Sequence, residues 1–243
     1  MVGPIESVTV GVRDIDRAIA FFRDRLRLSV VADTRASVGL LAAWKRPVHE
    51  SVRLVELAVP NRRLGRVRLA HFENGIETLT SERAGPHTIV LPTSDTNVTL
   101  EGPDGLSVEL TDHHDAVVTV RAPDLAASAR FYVDGLGWQE VPGRSSLTKL
   151  FSASPDSGSN VLVHRSLLQP GTDAGTRTPG HDGINLITCA CDDMDRVVDS
   201  LAALGIEPVT RPAHVGLPIG RPGRVMLVHG PAGELFELTE LAA

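Results

Sequence analysis

Two ten-residue segments of the chain repeat one another and place a glutamate at the same position. Residues 102–111 read GPDGLSVELT and residues 230–239 read GPAGELFELT, with six of the ten positions identical. Each segment begins with a Gly-Pro turn signal and continues as a short strand, which contains Glu109 in the first copy and Glu237 in the second. A carboxylate at a fixed point of a strand can bind a divalent cation. The repetition predicts a repeated structural unit with one candidate ligand in each copy.

The remaining composition favours a small-molecule partner. The chain has 243 residues, of which 42% are hydrophobic and 22% charged, as in a globular protein with a substantial core. Its net charge of -6 gives no sign of the clustered basic surface that a nucleic acid or an anionic membrane requires. No apolar run could span a bilayer and the N-terminus has no secretion-signal pattern, so we expect a cytoplasmic protein. We expect it to be a monomer or a homodimer.

Several familiar chemistries have no sequence signal in this chain. There is no Walker or dinucleotide glycine motif, no GxSxG and no CxxC pair. Cys189 and Cys191 stand two apart in ITCAC, where a strand points both side chains to one face. This spacing predicts packed thiols rather than a disulfide or a zinc site. Glutamate and histidine therefore remain the candidate chemical groups.

The elements that must position these groups form a larger repeat. Residues 7–28, SVTVGVRDIDRAIAFFRDRLRL, alternate like a strand and then follow helical spacing from Asp14, which is placed to cap the helix. A shift of 110 residues returns VVTVRAPDLAASARFYVDGLGW at 117–138, with Asp124 in the capping place. A further copy opens at INLITCACDD, residues 184–193. Each copy therefore predicts a strand followed by a helix.

A fourth copy of the strand begins at HTIVLP, but the next strand pattern starts at Val98, soon after Leu91, and leaves no room for a helix. Short strands follow each helix, so the chain predicts four βαβββ modules, the second degenerate. We number them 1 to 4 in chain order. The predicted fold is α+β, with paired modules forming cup-shaped mixed sheets. The expected domains are 1–112 and 113–243, joined by the polar TDHHDA.

This arrangement resembles the vicinal oxygen chelate superfamily, which includes glyoxalase I, methylmalonyl-CoA epimerase, extradiol dioxygenases and bleomycin-resistance proteins. The resemblance rests on the paired modules, on the capping aspartates with their FY-x-D-x-LG-like helix ends, and on the GPDG-x-x-x-EL strand. It covers nearly the whole chain. It implies that two modules form a cup and that a divalent metal, when present, is held inside by the first and last strands of each module.

Carried onto the first half of the chain, the resemblance gives three metal ligands. Ser7 stands where a histidine or glutamine is usual, His71 takes the last-strand place of module 1, and His87 and Glu109 take the two places of module 2. Two imidazoles and one carboxylate leave coordination positions open for substrate oxygens, as suits iron(II), manganese, nickel or zinc. Such an ion would polarise a carbonyl and ease the removal of a neighbouring proton.

The second half supplies a poorer set. Its four places hold Val117, His164, Asn185 and Glu237, and because valine cannot bind a metal and asparagine binds weakly, we expect this cup to be metal-free. His164 and Glu237 are weaker metal candidates. Six histidines have no positional support and are expected on the surface or in loops: His49, His113, His114, His181, His214 and His229.

The order of module pairing stays open at this point. Pairing in chain order would join His71, His87 and Glu109, whereas pairing module 1 with 4 and module 2 with 3 would join His87, Glu109 and His164. His87 and Glu109 belong to both sets. They are therefore the principal metal candidates.

Ser7, Asn185 and Trp44 are weaker candidates for the lining of a substrate pocket. Trp44 lies in the apolar insertion ASVGLLAAWKRP, which predicts either a mobile lid over the cup or a short element packed on the sheet. The segment 169–183, rich in Gly, Pro and Thr, is expected to be a surface loop.

Three functions follow from the resemblance. The first is a metal-dependent, glyoxalase-like lyase or isomerase acting on a small carbonyl or hydroxy compound. The second is a metal-free small-molecule binding or resistance protein, which the serine at position 7 and the truncated module 2 favour. The third is an extradiol-type ring-cleaving dioxygenase, a function that would need metal ligands in modules 3 and 4. The expected cofactor is a divalent metal or none, and the first function is the leading hypothesis.

Overall fold

The chain folds into strands flanked by short helices. The computed structural model describes residues 1–60, 65–77, 85–92, 98–111, 116–141, 148–152, 161–166, 177–216 and 222–242. The strands of modules 1 and 2 are β1 (Val2–Gly11), β2 (Ser29–Arg35), β3 (Val52–Ala58), β4 (Arg66–Phe72), β5 (Gly85–Pro92), β6 (Val98–Glu101) and β7 (Ser107–Thr111). Those of modules 3 and 4 are β8 (Ala116–Ala122), β9 (Gln139–Val141), β10 (Thr148–Ser152), β11 (Val161–Ser166), β12 (Gly183–Cys191), β13 (Ala213–Gly216), β14 (Pro222–His229) and β15 (Leu235–Leu241). The helices are α1 (Ile15–Ala20), α2 (Val38–Ala43), α3 (Leu125–Ala129) and α4 (Met194–Ala203).

The helices begin where the sequence predicts. Asp14 caps α1 by accepting a hydrogen bond from the Arg17 amide at 3.0 Å, and Asp124 caps α3 in the same way through two backbone amides. Both helices continue into a π-helical turn, Phe21–Arg25 after α1 and Arg130–Gly135 after α3. An aspartate side chain satisfies amide groups that the first turn of a helix leaves without partners.

The strands form two sheets, and the pairing of modules is crossed. The first sheet has eight strands in the order β13-β14-β15-β12-β1-β4-β3-β2, so it joins module 1 to module 4. The second has seven described strands in the order β6-β7-β5-β8-β11-β10-β9, so it joins module 2 to module 3. The α+β architecture with a strongly curled, half-barrel sheet confirms the predicted fold class. Each sheet takes strands from both halves of the chain.

The two sheets share one core. Strands of both sheets and the helices contribute to it, and its residues include Val8, Phe22, Ile89, Val118 and Leu201. Strand alternation turns the other side chains of these strands to the opposite side of each sheet, which we call the inner face. For the eight-stranded sheet the inner face carries Ser7, Thr9, Arg68, Thr188 and Glu237; for the seven-stranded sheet it carries Thr88, Ser107, Glu109, Thr119 and Arg121.

Helix α2 packs on the inner face of the eight-stranded sheet. Leu40, Leu41 and Trp44 form a second apolar cluster with side chains of β3, β4, β12, β14 and β15. Trp44 is 1% exposed, so the insertion packs on the sheet, as the second of the two alternatives predicts. Cys189 and Cys191 are buried free thiols, as predicted. No helix in the described ranges is long and apolar enough to cross a membrane.

Candidate functional site

Parallel strand pairs show which residues of the four modules are equivalent. In each module the first strand lies parallel to the last one. The pairs of facing residues can therefore be compared from one module to the next. The facing residues are Thr9–Arg68, Val90–Glu109, Thr119–Val163 and Thr188–Glu237. Arg68, Glu109, Val163 and Glu237 therefore share one position. A one-residue step changes the face on which a side chain lies, so His71, three residues past Arg68, is out of this register. In the backbone register His164 lies one residue past Val163.

The first strands show a similar offset. Ser7 faces Thr188 across the β1–β12 pair, Leu186 faces Thr9, and Thr88 faces Thr119 across the β5–β8 pair. Ser7, Thr88 and Leu186 are therefore equivalent. His87 and Asn185 each lie one residue earlier, where the register shifts at a β-bulge. The structure thus places Asn185 beside, rather than at, the position equivalent to Ser7.

On the inner face of the eight-stranded sheet, the Glu237 carboxylate is fully engaged by its own protein. Its Oε1 accepts hydrogen bonds from Arg68 Nη1 at 3.0 Å and from Thr188 Oγ1 at 3.1 Å, and its Oε2 accepts one from Trp44 Nε1 at 2.5 Å. The side chain of Glu237 is 2% exposed and that of Arg68 10%. Two predicted site residues, Trp44 and Glu237, do meet, but as a buried structural contact.

These residues do not fit a metal ion. Arg68 stands at the position of module 1 that is equivalent to Glu237 in module 4. Its guanidinium already neutralises the Glu237 carboxylate. His71 does not join them, because its Nδ1 donates to the Val12 carbonyl at 3.2 Å. The ring of His71 lines a separate cavity of about 360 Å³ together with Arg13 and Glu73. We therefore derive no chemistry through a metal on this sheet.

Other polar side chains of this sheet are also buried. The hydroxyls of Ser7 and Thr9 and the Asn185 Oδ1 atom are buried without a hydrogen-bond partner within the described part of the chain. The Asn185 amide nitrogen donates to the carbonyls of Pro179 and His181. Asn185 therefore fixes the preceding turn.

The inner face of the seven-stranded sheet has a different lining. Three threonines there, Thr88, Thr111 and Thr119, are buried, while Glu109 is partly exposed. Thr88 Oγ1 donates to Ser107 Oγ at 3.3 Å, and Thr119 Oγ1 is buried without a partner among the described residues. The surface around Glu109 is therefore rich in hydroxyl groups.

The crossed pairing separates one predicted ligand set and keeps part of the other. His71 lies in the eight-stranded sheet, whereas His87 and Glu109 lie in neighbouring strands of the seven-stranded sheet. His87 Nδ1 is 2.7 Å from Thr88 Oγ1. The strand of His164, β11, belongs to the same sheet, but its side chains lie outside the described residues. Within the ranges described, no group of three or more His, Cys, Asp or Glu could hold a metal.

The sequence interpretation missed Arg68. A usable signal exists, because Val67 and Leu69 in RVRL match Val108 and Leu110 in SVEL, which aligns Arg68 with Glu109. The nearby histidine in VRLAHFE has a side chain that commonly binds metals, and this favoured the alignment on His71. Apolar alternation is the better guide, since it reports which face is buried.

Comparison with known proteins agrees with this architecture. Residues 113–238 match the family model of the Glyoxalase/Bleomycin resistance protein/Dioxygenase superfamily. No curated protein matches the chain. Glyoxalase I from Zea mays superposes with a TM-score of 0.68 at 14% identity, over 98% of this chain and 92% of that one. A candidate dioxygenase from Bacillus subtilis gives the same TM-score and identity, over 98% and 85% of the two chains. At this identity the two structures show a common fold alone, and it is the family model, covering more than half of the sequence, that identifies the chain as a member of the Glyoxalase/Bleomycin resistance protein/Dioxygenase superfamily.

Proposed function

We propose that this chain binds a small polar compound, of the carbonyl or hydroxy class, on the inner face of the seven-stranded sheet and without a three-ligand metal centre. One observation carries the proposal. The glutamate position of the modules is occupied by a partly exposed carboxylate at Glu109, whereas its equivalent Glu237 is buried against Arg68 and Trp44. Of these two equivalent glutamates, the one in the cup of modules 2 and 3 is partly exposed.

The chemistry of this face suits a ligand with several oxygen atoms. Threonine and serine hydroxyls can each donate or accept a hydrogen bond, and Thr119 has that capacity unused within the described residues. Glu109 can accept a hydrogen bond from a ligand hydroxyl or a proton from carbon next to a carbonyl.

A metal-dependent lyase or isomerase is the second candidate. The observation that favours it is the position of His87 and Glu109, whose strands β5 and β7 are hydrogen-bonded neighbours in a parallel pair. A third ligand would have to come from outside the described side chains. The ring-cleaving dioxygenase gains no support, because module 4 offers Leu186 at the first ligand position and a Glu237 that is already paired.

Two measurements separate these functions. The first is elemental analysis after anaerobic incubation with iron(II), manganese, nickel or zinc and desalting. We expect no stoichiometric metal. About one ion per chain, lost in H87A, would overturn the proposal in favour of the metalloenzyme.

The second measurement is a thermal-shift screen of 2-oxo acids, hydroxy acids and catechols, followed by calorimetric titration of the best compound. E109Q should weaken binding about 10-fold or more, since it removes a charged hydrogen-bond acceptor. E207Q, an exposed glutamate in the loop after α4 and away from this sheet, is the control and should bind normally. Equal affinity of E109Q and the unaltered protein would show that the ligand binds elsewhere.

A further inference from the structure

A second cavity lies away from both inner faces. It has a volume of about 210 Å³ and is enclosed by the end of α3, by the loop after α4 and by the turn between β14 and β15. Its walls are largely apolar, formed by Phe131, Leu204, Ile206 and Pro231. Two polar side chains, Arg130 and His229, also line it. An apolar cavity with a few convergent polar groups is the usual form of a small-ligand site.

His229 is the first polar group of this cavity. It is the last residue of β14 and is partly exposed, while its Nδ1 atom is buried. Burial lowers the pKa of His229, which favours the neutral imidazole near pH 7. A neutral imidazole has one N–H donor and one acceptor nitrogen. The Nδ1 atom is closed off from the cavity, so a ligand there meets the exposed part of the ring.

Arg130 is the second polar group. It begins the π-helical turn after α3 and is exposed at the rim of the cavity. It forms no ion pair with any residue in the described ranges, whereas arginines such as Arg53 and Arg224 are each paired with two carboxylates. A guanidinium presents two parallel N–H groups that match the two oxygens of a carboxylate.

The wall beneath these residues is fixed by a buried carboxyl group. Glu234 is fully buried and accepts hydrogen bonds from the Ala232 amide at 2.8 Å and from the Tyr132 hydroxyl at 2.5 Å. The Gly230 amide donates to the Glu234 carbonyl at 2.8 Å, and a Cβ at position 230 would collide with the carboxyl group. The turn that forms one wall is therefore held in place before any ligand arrives, which reduces the entropy lost on binding.

We propose that this cavity is a binding site for a small monocarboxylate with a compact apolar body. Arg130 and the exposed edge of the His229 imidazole bind the carboxylate, and the apolar walls enclose the rest of the ligand. The site is built from α3, α4 and the β14–β15 turn, and none of these elements supplies a residue of the inner face around Glu109. It is therefore a site additional to the one proposed above.

Benzoate is a suitable probe, and benzamide is its neutral counterpart of nearly the same shape. Titration followed by the imidazole resonances, with those of His229 assigned by comparison with H229Q, should show saturable shifts of the His229 signals with benzoate. Benzamide should bind about 10-fold or more weakly, because it lacks the charge that Arg130 recognises. Absence of a benzoate-induced shift at His229, or equal affinity for both compounds, would refute the site.

Three variants complete the test. R130Q should weaken benzoate about 10-fold or more, whereas R17Q, an exposed arginine of α1, should not change it. A127F places a ring in the cavity, since Ala127 is part of its lining, and should abolish binding while circular dichroism reports a native fold. E109Q should leave the benzoate-induced shift unchanged, so failure of the first proposal remains distinct from failure of this one. Unaltered binding in R130Q or A127F would contradict the assignment.

Discussion

Arg68 and Glu237 occupy equivalent positions in modules 1 and 4, and their side chains form an ion pair with an Nη1–Oε1 distance of 3.0 Å. The pseudo-symmetry of the crossed sheet brings these two positions face to face. Two carboxylates there would repel one another unless a cation lay between them. The arginine supplies that positive charge from the protein itself, and the indole of Trp44 and the hydroxyl of Thr188 complete the hydrogen bonds of Glu237.

The first prediction concerns this pair. R68M leaves the buried Glu237 carboxylate without its cation and should lower the free energy of unfolding by about 3–5 kcal/mol. Urea denaturation followed by tryptophan fluorescence would measure this loss. The control is R53Q, which breaks a more exposed pair with Asp33 and should cost about 1 kcal/mol or less. Equal losses in the free energy of unfolding would show that the buried pair stabilises the fold no more than the exposed pair does.

A second prediction concerns Trp44, which covers the inner face of the eight-stranded sheet. W44F keeps most of the apolar contact of Trp44 but removes the Nε1–H that donates to Glu237. The free energy of unfolding should fall by about 1–3 kcal/mol, since a charged acceptor loses a buried donor. W138F is a matched control, because the indole of Trp138 donates instead to the neutral carbonyl of Val2. A smaller loss in W44F than in W138F would contradict the importance of the Glu237 contact.

The third prediction is a pH dependence of stability caused by Glu234. Burial raises the pKa of this group from 4.5 to about 7 in the folded chain. Below pH 4.5 both folded and unfolded states are protonated; between pH 4.5 and 7 the unfolded state releases its proton while the folded state keeps it. This contribution to stability is thus complete at low pH and is lost as the pH rises to about 7, with a total on the order of 3 kcal/mol.

Glu234 can be separated from other titrating groups by E234Q, in which the amide can still bond to Tyr132 and to the Ala232 backbone. Denaturation midpoints between pH 4.5 and 7.5 should fall with pH in the unaltered protein and more weakly in E234Q. The E101Q variant should retain the full slope. An unchanged slope in E234Q would assign the pH dependence to another residue.

The fourth prediction concerns the two thiols. Burial raises the pKa of Cys189 well above its ordinary value and that of Cys191 to about 12, so the reactive thiolate is scarce in the folded state. Iodoacetamide at pH 8 should modify both cysteines slowly in the native protein and rapidly in urea, as mass spectrometry would show. Fast native modification of Cys189 would mean that β12 opens readily.

Much of the fold could be predicted from local sequence. The alternation of Val8, Val10 and Val12, followed by Asp14 and a helical pattern, is a short-range signal whose physical cause lies within a few residues. Such signals predict the helix caps at Asp14 and Asp124, the two packed free cysteines and the α+β class. All of these are present in the structure.

The site depended on relations that no local pattern contains. The sequence by itself determined that four related modules exist and that Glu109 and Glu237 are equivalent, because both facts follow from repeated strings of residues. Only the tertiary structure decided that modules pair crosswise and that Arg68 faces Glu237. The reason is that the pairing of strands distant in sequence depends on the total apolar surface that the whole arrangement buries. It also decided that Trp44 covers this pair, because a side chain 193 residues away donates the hydrogen bond.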